Sequence, residues 1–398
     1  MKLRKNAFTL IELLAVIVIL AIIALIATPI ILGIIKDSKD NANKRSIDNY
    51  AKAVQNALTR YQLTGKKLEI NKLETINGRE FNNTDFKVEY EGNVVCDTIE
   101  IYEDGNIYLG NCVVNGDNVD YAYGIKRYSN GEIVYFDVKK GEGCINYHPD
   151  NSITGYNGIY EGESSRKTTN NQNNCLKFYA FLDNGGEILN LLLDHNTTAN
   201  YVDWTNSSTT TNVNGPIDVI TQLKIDTDDW KGTIVPENYE YKGSEKEYTV
   251  YYNKEEYKYK ARLITAQEIA QITGADKEPI NWQEHSSNSL YYFFDSLSTT
   301  NSETCKDGNI TGCKYGWLYD RTGTYCKGKG CLNNAVNTSY IRMSGYWTSS
   351  ATSYQGLSWA VAYYGNMQRI GIDCSNGGTS TYCEYGVRPV IEVSKSNL

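Results

Sequence analysis

Residues 5–30 read KNAFTLIELLAVIVILAIIALIATPI, and a single carboxylate, Glu12, stands inside this otherwise apolar run. A charge at bilayer depth costs about 2.5–3.5 kcal/mol on insertion scales, so its presence asks for a purpose. Lys2, Arg4 and Lys5 precede the run, a bias that holds the N-terminus in the cytoplasm and sends the rest outside. Residues 13–27 are uninterrupted apolar side chains, and the extension to Ile35 is long enough to span roughly 30 Å of hydrocarbon. A secretory signal peptide shares the basic start and apolar core. It would not place a glutamate early in that core, however, and no A-x-A cleavage site follows. A plain signal anchor accounts for the length and the flanking charges but leaves Glu12 unexplained.

The segment NAFTLIELLAVIVILAIIALIATP, residues 6–29, resembles the N-terminus of type IV prepilins and pseudopilins. In that family a short basic leader ends in a small residue and is followed by Phe-Thr-Leu-Ile-Glu. The resemblance implies a leader of residues 1–7, a cut between Ala7 and Phe8, and N-methylation of the new amine on Phe8. Glycine is the usual residue before the cut, so Ala7 departs from the pattern; the placements of Glu12 and Pro29 follow it. It also implies that Glu12 is an assembly residue, whose carboxylate meets a cationic terminal amine in the low-dielectric core of a fibre. Removing one partner of such a buried pair costs about 3–5 kcal/mol. The implied partners are other pilin subunits in a helical fibre, prepilin peptidase and an inner-membrane assembly platform. The implied location is a single-pass membrane precursor that ends in an extracellular pilus or pseudopilus.

Past the apolar run, Ile47, Tyr50, Val54, Ala57, Leu58 and Tyr61 recur every three to four residues, with Lys44, Arg45, Asp48, Lys52 and Gln55 opposite. This period predicts that one helix continues through residues 8–64, with Gly65 just past its end. Pro29 lacks a backbone N–H and is expected to kink or loosen the middle. Residues 65–138 then change character: short alternating runs at 87–90, 98–102, 107–109 and 119–123 are separated by Glu-Gly, Asp-Gly and Asn-Gly turns. A small antiparallel sheet packed on the helical stripe is the expected fold, with EDGN at 103–106 as a hairpin turn.

Residues 139–398 form a larger second module. CLKFYAFLDNGGEILNLLLDHNTT (175–198) reads as a hairpin, GPIDVITQLKIDTDDWKG (215–232) as a helix, and 248–259 as strand-like alternation. Thr265 with Glu268 three residues on makes a capping box for a further short helix. ARLITAQEIAQITG (261–274), GYWTSSA (345–351), WAVAYY (359–364) and YGVRPVIEV (385–393) occur in an order similar to that of the C-type-lectin-like superfamily, in its branch related to sulfatase-modifying factors. The first motif departs from the pattern, with Ile264 in place of proline and no tryptophan after Glu268. On this reading Trp347 and Trp359 belong to the core and Arg388 is a buried structural arginine. The expected fold class is α+β: a long N-terminal helix on a small antiparallel sheet, then a mixed α+β, C-type-lectin-like module.

Ten cysteines all lie beyond the apolar segment. In an exported chain they imply up to five disulfides, and neighbour pairing suggests Cys96–Cys112, Cys305–Cys313, Cys326–Cys331 and Cys374–Cys383. A zinc site from Cys305, Cys313, Cys326 and Cys331 competes, but none of these has the two-residue spacing of zinc knuckles. Removing Lys2, Arg4, Lys5 and Glu12 from totals of 39 basic and 47 acidic side chains leaves 36 and 46, a net of −10. That acidity argues against phosphate-backbone recognition of nucleic acid.

His148, His195 and His285 are scattered and flank no nucleophile motif; Asp194–His195 is one acid and one histidine without a third group. Catalytic members of the lectin-like branch use a close pair of reduced cysteines, whereas Cys374 and Cys383 are nine positions apart. Glu278–Pro279 is followed by Ile280, so the calcium-dependent sugar signature is not met. The expectation is therefore a non-enzymatic minor pilin or pseudopilin, with no cofactor, no metal and an extracellular head for adhesion or ligand binding. The competing classes are a pilus-displayed oxidase-like enzyme and a DNA-uptake pseudopilus tip.

Overall fold

The computed structural model describes residues 10–65, 75–76, 80–81, 86, 88–102, 104–144, 175–194, 196–197, 202–205, 212, 215–234, 260–275, 291–293, 314–318, 345–352, 356–362, 366–372 and 385–398. These residues form two compact units, residues 1–126 and 127–398. The fold is mixed α+β, a long N-terminal helix followed by antiparallel sheets.

In the first unit, α1 (Leu10–Leu63) runs 54 residues without interruption, about 80 Å at 1.5 Å per residue. Thr64 and Gly65 close its last turn by donating to the carbonyls of Tyr61 and Gln62. Its buried face is the expected stripe from Ile47 to Tyr61, with Asn43 and Ala51 added. Two short strands, β1 (Thr75–Ile76) and β2 (Glu80–Phe81), pair with each other. β3 (Val94–Ile101), β4 (Ile107–Val114) and β5 (Asp117–Val119) form an antiparallel sheet in that order. The β4–β5 turn places Asn115 and Gly116 at φ +52° and +88°, the left-handed pair that a two-residue hairpin requires.

The inward residues of β3 and β4 (Val94, Cys96, Ile101, Leu109, Cys112, Val114) pack with the helical stripe into one core. Tyr50 meets Tyr90, and Tyr61 meets Phe86, edge to face at 5.2 and 5.9 Å. Residues 88–90, expected in a strand, are irregular. Tyr90 instead donates its hydroxyl to the Ser46 carbonyl on α1 at 3.1 Å.

The second unit contains a five-stranded antiparallel sheet in the order β14-β9-β8-β6-β7, built from β6 (Ile133–Asp137), β7 (Glu142–Gly143), β8 (Cys175–Phe181), β9 (Ile188–Leu193) and β14 (Val390–Ser394). The boundary drawn at 138/139 from sequence therefore differs from the structural division at 126/127. β6 pairs with β8 over five residues, and that ladder holds it in the second unit. A four-stranded sheet, β10-β13-β12-β11, comprises β10 (Tyr291–Phe293), β11 (Tyr346–Ala351), β12 (Leu357–Ala362) and β13 (Asn366–Gly371).

Among the described residues the unit also holds two α-helices, α2 (Ile217–Thr227) and α3 (Ala266–Thr273). Thr265 and Glu268 form the capping box, and Gly274, at φ +78°, ends α3 by donating to the Ala270 carbonyl. Alternate strand residues feed two clusters. One joins Phe178, Leu191, Ile391, Trp347 and Trp204 with α2; the other joins Phe181, Leu192, Tyr346, Trp359 and Met367 with α3. Trp347, Trp359 and Arg388 are all buried.

Candidate functional site

The distinctive chemical surface of the first unit is the N-terminal half of α1. From Leu10 to Ile35 its large apolar side chains are exposed, and Glu12 is the only charged residue among them. Among the described residues, α1 is the one helix long and apolar enough to cross a membrane. Leu, Ile, Val and Ala dominate this stretch, and a helix satisfies its own backbone hydrogen bonds, which is what a lipid or fibre core demands. Two polar details interrupt it. The Thr28 hydroxyl donates to the Ala24 carbonyl at 2.6 Å, hiding its polarity within the helix. Pro29, inside the helix, offers no N–H to the Leu25 carbonyl. Ala7 and Phe8 lie outside the described residues.

Charged and polar contacts secure the second half of α1. The Tyr121 hydroxyl donates to Asp48 at 2.7 Å, while Arg60 pairs with Glu89 at 2.7 Å and Lys39 with Asp117 at 2.8 Å. The hydrogen bond to Asp48, aided by partial burial, pushes the Tyr121 phenol up to about 12. The hydrogen bond from the Arg60 guanidinium and its charge hold the Glu89 carboxyl below the usual range.

Cys96 and Cys112, directly opposite on β3 and β4, form a disulfide with 4.0 Å between their Cα atoms. A second disulfide, Cys144–Cys175, ties the end of β7 to the start of β8. Neighbour pairing missed it because its partners are 31 positions apart. Cys305, Cys313, Cys326, Cys331, Cys374 and Cys383 lie outside the described residues, as do His148, His195 and His285.

In the second unit the segments 261–274, 345–351, 359–362 and 385–393 meet through buried polar contacts. Arg262 exchanges backbone hydrogen bonds with Val390, and the Ser350 hydroxyl accepts from the Ala266 amide at the head of α3. The Thr348 hydroxyl donates to the Trp359 carbonyl at 2.7 Å, and the Trp204 and Trp347 indoles donate to the carbonyls of Thr348 and Val202. Arg388 donates to the carbonyls of Leu193 and Trp317 and lies 5.0 Å from the Tyr346 ring centre. Sequence reasoning passed over Lys177, which pairs with Asp194 deep inside the unit. The signal was present: a lysine among the apolar residues of a strand buried on both faces.

A family model described as the prokaryotic N-terminal methylation motif matches residues 2–28. No curated protein and no solved structure matches the chain. The chain thus carries the N-terminus of a type IV pilin-like precursor, on a helix suited to a membrane anchor. The motif implies prepilin peptidase and other pilin subunits as general partners.

Proposed function

We propose that the chain is a minor type IV pilin or pseudopilin subunit. Prepilin peptidase cuts it after Ala7, its new Phe8 amine is methylated, and α1 carries it into an extracellular fibre. The observation that carries this reading is the exposed apolar half of α1, with Glu12 as its single charge, inside the segment matched by the methylation motif. Glu12 serves as the registration residue for a neighbouring terminal amine, and Pro29 as the point where the helix can yield.

The region from residue 127 onward is the fibre's adhesive or ligand-binding head, a binding module and not a catalytic one. Its lectin-like reading is supported by the way the 261–274, 345–351 and 385–393 motifs hydrogen-bond to one another. The chain's 33 tyrosines, amid Ser-, Asn- and Gly-rich segments, are the composition that adaptable binding surfaces favour. A head of this size suits a tip or sparse position.

Mass spectrometry of protein sheared from the cell surface tests the central claim. The expected terminus is N-methyl-Phe8, and an intact Met1 in cells with active prepilin peptidase would refute it. Cells expressing a chain that ends at Lys126 should keep processing but lose adherence; unchanged adherence would sink the adhesive role of the head.

A further inference from the structure

We propose that Lys177 and Asp194 condense into an intramolecular isopeptide bond, an amide between Lys177 Nζ and Asp194 Cγ that closes the open end of the β8–β9 hairpin. The two residues are opposite each other, one step beyond the Phe178–Leu193 pair, and the Asp194 amide donates to the Lys177 carbonyl at 3.1 Å. Their side chains are only 3% and 1% exposed, with Nζ and Oδ1 3.7 Å apart. A charge-assisted hydrogen bond would be shorter, about 2.7–2.9 Å. The new bond joins Nζ to Cγ, and the Nζ–Oδ1 distance sets the amine beside the carboxyl group that it attacks.

The low exposure of both side chains bears on their protonation states. Burial works against ammonium and carboxylate alike, and a proton passed from one to the other leaves an amine and a carboxylic acid. The Tyr179 ring has its centre 5.1 Å from Nζ and packs in turn on Trp317 at 5.8 Å. In the condensation, the Nζ lone pair attacks Cγ, the N–C bond forms and one C–O bond breaks. The departing oxygen leaves as water, carrying the acid proton and one proton from Nζ. No electrons are transferred and no further reactant is needed.

The position in the hairpin makes the same point. Cys96–Cys112 joins opposite residues of β3 and β4 toward the end away from their turn at 102–106. The β8–β9 turn lies at 182–187, so Lys177 and Asp194 occupy the equivalent place in their own hairpin. Cys175, two residues before Lys177, is already cross-linked to Cys144. An amide at this point would hold where a reductant opens the disulfides.

The test is peptide mapping of the full-length protein after reduction and trypsin digestion. The expected product is a branched peptide containing residues 177 and 194, lighter by one water and uncut at Lys177. In Asp194→Asn the same branched peptide should form with loss of ammonia, and in Lys177→Arg it should be absent. Linear peptides of full mass from the wild-type protein overturn the proposal, whether or not the variants fold. A water deficit confined to a linear peptide, as from a cyclised aspartate, overturns it as well.

Discussion

Arg262 and Glu268 meet fork to fork, with Nη2–Oε1 at 2.7 Å and Nη1–Oε2 at 3.0 Å. The guanidinium also reaches Glu392 on β14, Asn190 on β9 and the Leu263 carbonyl, so all its donors are engaged. Burial works against its charge, but Glu268 and Glu392 outweigh that and hold the arginine more firmly protonated than usual. Glu268 simultaneously accepts from the Thr265 amide, joining the start of α3 to the five-stranded sheet.

Glu268→Ala removes the pair and half of the capping box, leaving Arg262 with one carboxylate in a buried place. The expected loss is about 3–5 kcal/mol of unfolding free energy, followed by tryptophan fluorescence in urea. Glu268→Gln keeps an acceptor for the Thr265 amide and should lose distinctly less. Equal losses in the two variants would show that the cap contributes nothing of its own.

The two disulfides among the described residues close loops of different length, with separations of 16 and 31 residues. Chain entropy assigns them about 3.1 and about 3.7 kcal/mol respectively. The paired variants Cys96→Ala/Cys112→Ala and Cys144→Ala/Cys175→Ala should each lower stability by amounts of this order in chemical denaturation. A loss below about 1 kcal/mol for either pair would mean that the open chain keeps those strands together unaided.

Tyr121 supplies a pH dependence with a definite sign. Its phenol titrates up at about 12 in the folded unit, chiefly because it donates to Asp48, against an ordinary value of 10.0. Between these two values the unfolded chain holds fewer protons than the folded one, so stability falls as pH rises. The contribution is complete below pH 10 and is lost through the folded value. Since the ring is only partly buried, the effect is modest. Tyr121→Phe should flatten the fall in stability between pH 10 and 12 relative to wild type, and an unchanged slope would refute the assignment.

Periodic features were the legible ones. The stripe from Ile47 to Tyr61, the 175–198 hairpin and the α3 capping box follow from local spacing, and each lies where its pattern puts it. The Val88–Tyr90 run alternates like a strand yet serves as a strap, because Tyr90 gains a carbonyl partner on α1 that lies 44 positions away. Lys177–Asp194 and Arg262–Glu392 could not be paired from sequence. Their partners meet only through sheet register, and a lone charge in an apolar strand does not name what it faces. Residues 127–138, grouped with the first module from local patterns, lie in the second unit, where β6 pairs with β7 and, beyond Cys144, with β8.

Under the proposed function, Glu12 makes two demands of opposite sign on the same side chain. In the membrane-inserted precursor it is a cost of about 2.5–3.5 kcal/mol, so Glu12→Ala should insert at least as well as wild type and still be cut after Ala7. In the fibre, the variant leaves a methylated amine without its carboxylate, an uncompensated buried charge worth about 3–5 kcal/mol. Surface-sheared protein should therefore fall by more than a hundredfold while processed protein in the membrane fraction rises. Glu12→Gln, which retains an acceptor but no charge, should lie between the two. Immunoblots of both fractions decide the matter: a normal surface yield from Glu12→Ala would remove Glu12 from assembly, and a block in processing would place its role at the peptidase instead.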